Sequence, residues 1–450
     1  MPLHPHLSQE ALLDQRRPGR RLGMTLQARL ARLTGNDMVR DVLRLVTGTV
    51  GGRVITLAAM PFVTRLYSPQ DFALLAVYLG TVTMISAIAC LRFDVAIPVA
   101  GDDSDAAHLL VLALLIAIGT ALLGLIAVLL AAERIAGLLG QPALAPWLWL
   151  VPLGVFLSGS YSALQFWATR ARRFGSIAMT RITQAAAGVS TMLALGWAGV
   201  APLGLMLGNL LNASAGGFRL GIDALREDRT ALAGVSCRGL VKAFAAYRRF
   251  PLYSAPEALV NMAGAQVPIL IIAAFSPSEA GFLLLAQQVM AAPMKLLGSS
   301  ISQVYVSRAP EEFRAGRLAD FTLSTMRKLV VLGMGPLILA GVLAPILFPI
   351  VFGAEWSRAG EIVAWMVPWM ALQFISSPVS LVMYVVGRQR AMLVLTLFGA
   401  IVRIGAVSIA AQSGGGLMIG AMIGASAIFY GVCLVIFIIS SRLKLLNIIN

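Results

Sequence analysis

The chain has 450 residues, of which 12% are charged and 58% apolar, with a mean hydropathy of +0.84 and a net charge of +15. A soluble globular protein carries about twice that charge fraction, so the composition excludes that class and describes an integral membrane protein. The apolar blocks run to roughly twenty residues, which suits helices crossing about 30 Å of hydrocarbon and not the ten-residue alternation of a membrane barrel.

The first 44 residues form a basic tail. "RRPGRR" and "LQARLARLTG" are charged and partly amphipathic, without the apolar core of a secretory signal. Two readings stay open: a helix lying on the inner leaflet, or an upstream extension ahead of a true start at Met24 or Met38. Twelve spans follow in an all-α membrane fold. Six are predicted at 45–66, 72–92, 107–131, 143–167, 176–198 and 201–219, which places an N-terminal six-helix lobe and its inter-lobe loop in 45–245. Six more, at 250–274, 280–306, 328–352, 360–386, 391–411 and 415–440, make a C-terminal lobe of 246–450.

The basic residues agree with this alternation. Cytoplasmic loops hold an excess of Lys and Arg, and with both termini inside, 29 of the 35 fall on inner segments. Only Arg65, Arg134 and Arg358 fall on outer loops. The net positive charge is thus mainly a topological signal, a basic face against anionic lipid headgroups, and nucleic acid is not expected as a partner.

An internal repeat divides the chain. "YSPQDFALLA" (67–76) leads into the second span and "FSPSEAGFLLLA" (275–286) into the eighth. Because six spans separate them, both halves enter the membrane from the same side, a parallel pseudo-two-fold repeat. Transporters built this way keep their site between the halves.

Over most of the chain from about Val39, four stretches occur in one order: "TRLYSPQDFALLAVY", "LRFDVAIPVAGDDSDAAHLLVLAL", "YSAPEALVNMAGAQVPILIIAAFSPSEAGFLLLAQQVMAAPMKLLGSSISQVYVSRA" and "QFISSPVSLVMYVVGRQR". They resemble the bacterial polysaccharide repeat-unit flippases, the O-antigen and capsule exporters of the multidrug/oligosaccharidyl-lipid/polysaccharide superfamily. The resemblance implies two V-shaped lobes, alternating access, and an undecaprenyl-diphosphate-linked oligosaccharide carried from the inner to the outer leaflet of the inner membrane. It implies no catalytic motif. Candidate partners are that glycan, membrane lipids, a coupling proton or sodium ion, and a polysaccharide polymerase with its chain-length regulator.

Charges inside spans carry the site prediction, because a cation at a helix centre costs roughly 2.5–3.5 kcal/mol on insertion scales and tends to face a cavity or a partner. Arg53, Lys295 and Arg403 are such cations. For Arg53 the alternative is snorkelling to the inner headgroups. For Lys295, on a face with Gln288, Ala292, Ser299 and Ser302, it is plain helix packing. For Arg403 it is a structural pair with an acid elsewhere. Glu257, which shares a face with Asn261, Gly264 and Pro268, either neutralises a buried cation or carries a coupling ion. The cationic surplus suits a diphosphate, which ranks drug-cation antiporters and other exporters of the superfamily second. Arg92 and Asp94 mark an inner helix end, as a cytoplasmic gate or as a local ion pair.

Other chemistry is not indicated. Cys90, Cys237 and Cys433, with His4, His6 and His108, show neither disulfide nor metal spacing. No G-x-x-x-x-G-K-[ST] loop occurs, and no cofactor is expected. A membrane polymerase or ligase would need outer-face acid–base groups, and the outer loops offer only Glu133, Glu355 and Glu361. The expectation is a transporter and not an enzyme.

Overall fold

The computed structural model describes residues 37–413 and 416–442; the side chains of 37–45 and of several positions between 292 and 306, Lys295 among them, lie outside that description. The readings of the basic tail fall mostly on residues 1–36, also outside it, while its last residues, 37–44 with Met38, are the opening turns of the first helix. Among the described residues the structure is all-helical, without a strand, and twelve of its helices, separated by shorter ones and by a linker helix as long as the sixth, fall on the predicted spans. In the first half these are α1 (Asp37–Leu66), α2 (Pro69–Ser86), α3 (Asp103–Leu138), α4 (Leu150–Arg170), α5 (Phe174–Trp197) and α6 (Leu203–Ser214). In the second half they are α7 (Ala255–Phe275), α8 (Pro277–Arg314), α9 (Leu318–Phe352), α10 (Ser357–Val379), α11 (Gln389–Gln412) and α12 (Met418–Ser441).

Seven stretches, which take in all or part of α1, α3, α7, α9, α10, α11 and α12, are long and apolar enough to cross a membrane on those criteria alone. The chain is thus a multi-pass membrane protein. The other five expected spans are helical but shorter or more polar, and in α2 the reason is visible in its packing. In α2 every residue from Phe72 to Tyr78 is buried, and the helix lies against α4, α7 and α8. A central helix of this kind meets protein on all sides. Lipid-facing helices show the opposite pattern: Leu123, Leu129 and Leu130 of α3 and Val331 and Val342 of α9 are exposed.

Several predicted boundaries shift: the first span begins at Asp37, the third runs to Leu138, the eighth runs to Arg314 and the ninth begins at Leu318, and three more move where the helix breaks. The second span ends at Ser86, not near 92, because the chain turns through Leu91 and Arg92 in left-handed backbone (φ 47° and 64°) into a short helix, Phe93–Ala96. The sixth is cut at Ser214, after which a separate helix, Gly216–Glu227, opens the inter-lobe linker. The tenth ends at Val379, next to Pro378, and a short helix, Val382–Val385, follows.

Helix pairing repeats in the two halves. α1 packs on α5 as α7 packs on α11, α3 on α4 as α9 on α10, and α5 on α6 as α11 on α12. This is the parallel repeat expressed as contacts. The repeated turns also meet each other: Gln70 Nε2 donates to Ser278 Oγ at 3.3 Å, a pair 208 residues apart and equivalent in the two motifs. Equivalent positions touch only near a pseudo-two-fold axis, so the axis passes through this seam.

The apolar core forks. At the end of the molecule that carries Tyr67 and Phe275, one cluster draws Val63, Tyr67 and Phe72 together with Ile272, Leu283 and Trp356 from the other half. Trp356 Nε1 donates to Thr64 O at 3.1 Å, and Gln141 Nε2 donates to Ala273 O at 2.6 Å, both across the halves. At the opposite end the clusters separate, one around Phe93 and Trp167 and another around Tyr305, Val382 and Phe437. The lobes are therefore closed at the end whose loops are poor in basic residues and apart at the basic end.

Candidate functional site

The cleft between the lobes holds two adjoining cavities. One has a volume of about 890 Å³ and is walled by α1, α7, α8, α10, α11 and α12. The second, of about 400 Å³, is walled by α1, α2, α6, α7 and α8. They share Arg53, Gln266, Ile269, Gln287 and Ala291, so Arg53 stands where the two meet. Along α2 the second cavity extends from Thr83 to Ala76, toward the closed seam.

Small residues aim Arg53. Gly48 and Gly52, one turn apart, let α1 approach α5 so closely that a Cβ on either would lie 2.6 Å from backbone atoms of Ala178 or Arg181. With that face of α1 committed, the next residue along the helix turns by about 100° into the cleft. Arg53 is exposed there and has neither an ion pair nor a hydrogen bond among the described residues.

Arg403 reaches the same cavity from α11. It is 8% exposed, its Nε donates to Gly399 O at 2.9 Å, and its guanidinium lies 4.8 Å from the centre of the Phe429 ring. Gly264 of α7 makes the room: a Cβ there would sit 2.8 Å from the Ala400 Cβ and 3.2 Å from Arg403 Nη2. The expected alternative, an acid partner for Arg403, is not found among the described residues. Among the described residues no carboxylate lines either cavity.

The remaining predicted residues divide. Of the α8 stripe, Gln288 lines the second cavity and Ser302 the first; Lys295 lies between them on that helix, its side chain outside the description. Gly264 and Pro268 line the first cavity, whereas Glu257 and Asn261, nearer the start of α7, line neither. Arg92 and Asp94 form no ion pair with each other. Asp94, 5% exposed, accepts a hydrogen bond from Ser162 Oγ at 2.7 Å inside the first half, away from the cavity linings.

Reasoning from charge alone missed the neutral polar residues. Asn209, Asn212, Gln266, Gln287 and Gln373 all line the cleft. Their signal was present as single carboxamides inside apolar helices, a pattern that is costly unless the group meets water, a partner or a ligand.

A two-lobed helical bundle with its cavity between repeats is a membrane transporter fold. The model of the polysaccharide biosynthesis protein family matches residues 62–361, and the chain belongs to that family. No curated protein matches the chain in sequence. Among solved structures, the lipid II flippase MurJ in an inward closed conformation is similar over 90% of this chain and 88% of its own, at 13% identity and a TM-score of 0.67. The MATE multidrug transporter DinF-BH is similar over 88% and 93%, at 13% identity and a TM-score of 0.62. The eukaryotic MATE transporter AtDTX14 is similar over 90% and 98%, at 13% identity and a TM-score of 0.55. At these identities the likeness establishes a shared fold.

Proposed function

We propose that this chain carries undecaprenyl-diphosphate-linked oligosaccharide repeat units from the inner to the outer leaflet of the bacterial inner membrane, with both termini cytoplasmic. Its lobes rock about the shared seam to expose the cavity alternately to each side. One observation supports this above the others: Arg53 and Arg403 line a single inter-lobe cavity that no carboxylate lines among the described residues. Guanidinium groups held away from bulk water make strong charge-assisted bonds to phosphate oxygens. A cavity for organic cations would carry the opposite sign. The family's description, polysaccharide biosynthesis, is compatible with a lipid-linked sugar as the cargo.

No step of bond chemistry is assigned to the chain. An inside-negative membrane potential favours outward movement of a diphosphate by about 2.3 kcal/mol per charge per 100 mV. Glu257 is the candidate coupling acid, and Glu257→Gln is expected to remove any response of transport to a proton or sodium gradient.

The test is the lipid that builds up when the gene is deleted. Undecaprenyl diphosphate bearing a completed repeat unit, retained on the cytoplasmic side, is the expected material. Unchanged lipid-linked pools together with a new sensitivity to organic cations would overturn the proposal.

A further inference from the structure

The second cavity differs in chemistry from the first. The first is rich in methionine, with Met262, Met294, Met366, Met370 and Met422 in its wall, which makes an adaptable apolar surface. The second is walled by the carboxamides of Asn209, Asn212, Gln266, Gln287 and Gln288, with Thr56 and Thr83 beside them. Asn209 donates to Leu205 O at 3.0 Å, and Thr56 donates to Gly52 O at 3.0 Å. The other four carboxamides have no hydrogen bond among the described residues.

Each carboxamide offers two donors and an acceptor with two lone pairs. Four of them, none sealed from solvent, line one partly buried chamber and make a surface suited to a ligand rich in both kinds of group. Sugar hydroxyls are such groups, donor and acceptor at once. Met60, Leu57 and Leu284 complete the wall with apolar atoms, as the CH faces of a sugar ring require. Among the described residues Arg53 is the only charged one lining this cavity, and among them an ionised sugar would find no further charge to pair with.

We infer that the second cavity is a glycan subsite: the carboxamides of Asn212, Gln266, Gln287 and Gln288 bind the first, uncharged sugars of the cargo while Arg53, at the junction, holds the adjoining diphosphate. This rests on the proposed lipid-diphosphate substrate and adds to it a neutral sugar class, a location and named residues. The glycan then lies on the side of Arg53 nearer the closed seam and is the leading part of the cargo when that seam opens.

Two probes separate this inference from the reading beneath it: farnesyl diphosphate, and the same lipid diphosphate carrying a neutral disaccharide. Binding of each is measured calorimetrically on the full-length protein in detergent. The wild type is expected to bind the glycosylated probe the more tightly. The pair Asn212→Leu and Gln288→Met, at positions that line the second cavity alone, should weaken the glycosylated probe about tenfold, the loss of one or two hydrogen bonds, and leave farnesyl diphosphate unchanged. Arg53→Gln should weaken both. Retained farnesyl diphosphate binding also reports that the variant is folded; if the pair fails to fold, Gln288→Met alone carries the test with a smaller loss. Equal wild-type affinity for the two probes, or an Asn212→Leu/Gln288→Met protein that changes both or neither, overturns the subsite alone. A wild type that binds neither probe overturns the lipid-diphosphate reading and the subsite with it.

Discussion

Arg403 shows how a single side chain is placed by its neighbours. A bare guanidinium in a membrane interior is expensive, and here the cost is reduced locally by the Gly399 carbonyl and the Phe429 ring face. Neither neutralises it, which leaves the charge available to an anion in the cavity. Gly264 is the residue that permits this arrangement. Gly264→Ala would drive a methyl into Ala400 and the guanidinium, an overpacking expected to cost about 1–3 kcal/mol and to weaken farnesyl diphosphate binding. Gly405→Ala, in open space on the same α11, is the control. Thermal melting and titration of both variants check the contrast; equal behaviour would contradict it. Arg53 and Arg403 were legible in the sequence because a charge stands out in an apolar span. Gln266 and Gln287 were not, since a neutral amide barely alters local hydropathy and its exposure to a cleft depends on which face of α7 or α8 the fold turns inward.

The helices differ in how far sequence specifies them. α2 begins at Pro69, three residues ahead of the predicted 72, with Pro69 at its first turn and Ser68 and Asp71 exchanging capping bonds. Its other end was misplaced because residues 87–91 remain apolar while the backbone has already left the helix, a change hydropathy does not register. At the seam, Gly281 of α8 sits so close to the Pro69 carbonyl that any Cβ would collide with it. Gly281→Ala should therefore separate α2 from α8 and shift the lobes away from the closed-seam state. Spin labels at the exposed positions Ala143 and Glu355 should report a longer distance in the variant, and an unchanged distance would contradict the prediction. The linker is fastened differently. Asp228 accepts bonds from Trp167 Nε1 and from Arg173 Nη1 and Nη2, all at 2.7 Å. Burial pushes its carboxyl up, but the bonds from Arg173 and Trp167 outweigh burial and hold it below the usual carboxylate value. A depressed folded pKa means the contribution is present above the ordinary carboxylate range and is lost as pH falls through the lowered value. Hydrogen exchange of Gly216–Glu227 should accelerate in that acid window, and Asp228→Asn should accelerate it already at neutral pH.

At the scale of the whole molecule, the forked core and the charge distribution say the same thing. The lobes share one apolar cluster where the loops are poor in basic residues and part where they are rich in them, so the cleft faces the basic side. The repeat was readable in two short turns, and its physical meaning, the Gln70–Ser278 contact near the axis, required the fold. The central claim is that this cleft moves an anionic lipid headgroup by means of Arg53 and Arg403. The most direct measurement is translocation of a fluorescent lipid-diphosphate oligosaccharide in proteoliposomes, comparing the wild type with Arg53→Ala and Arg403→Ala. Transport by the wild type, with each variant at least about tenfold slower though equally inserted, is the predicted result. Equal rates in all three proteins, or no transport by the wild type under an imposed potential, would contradict it.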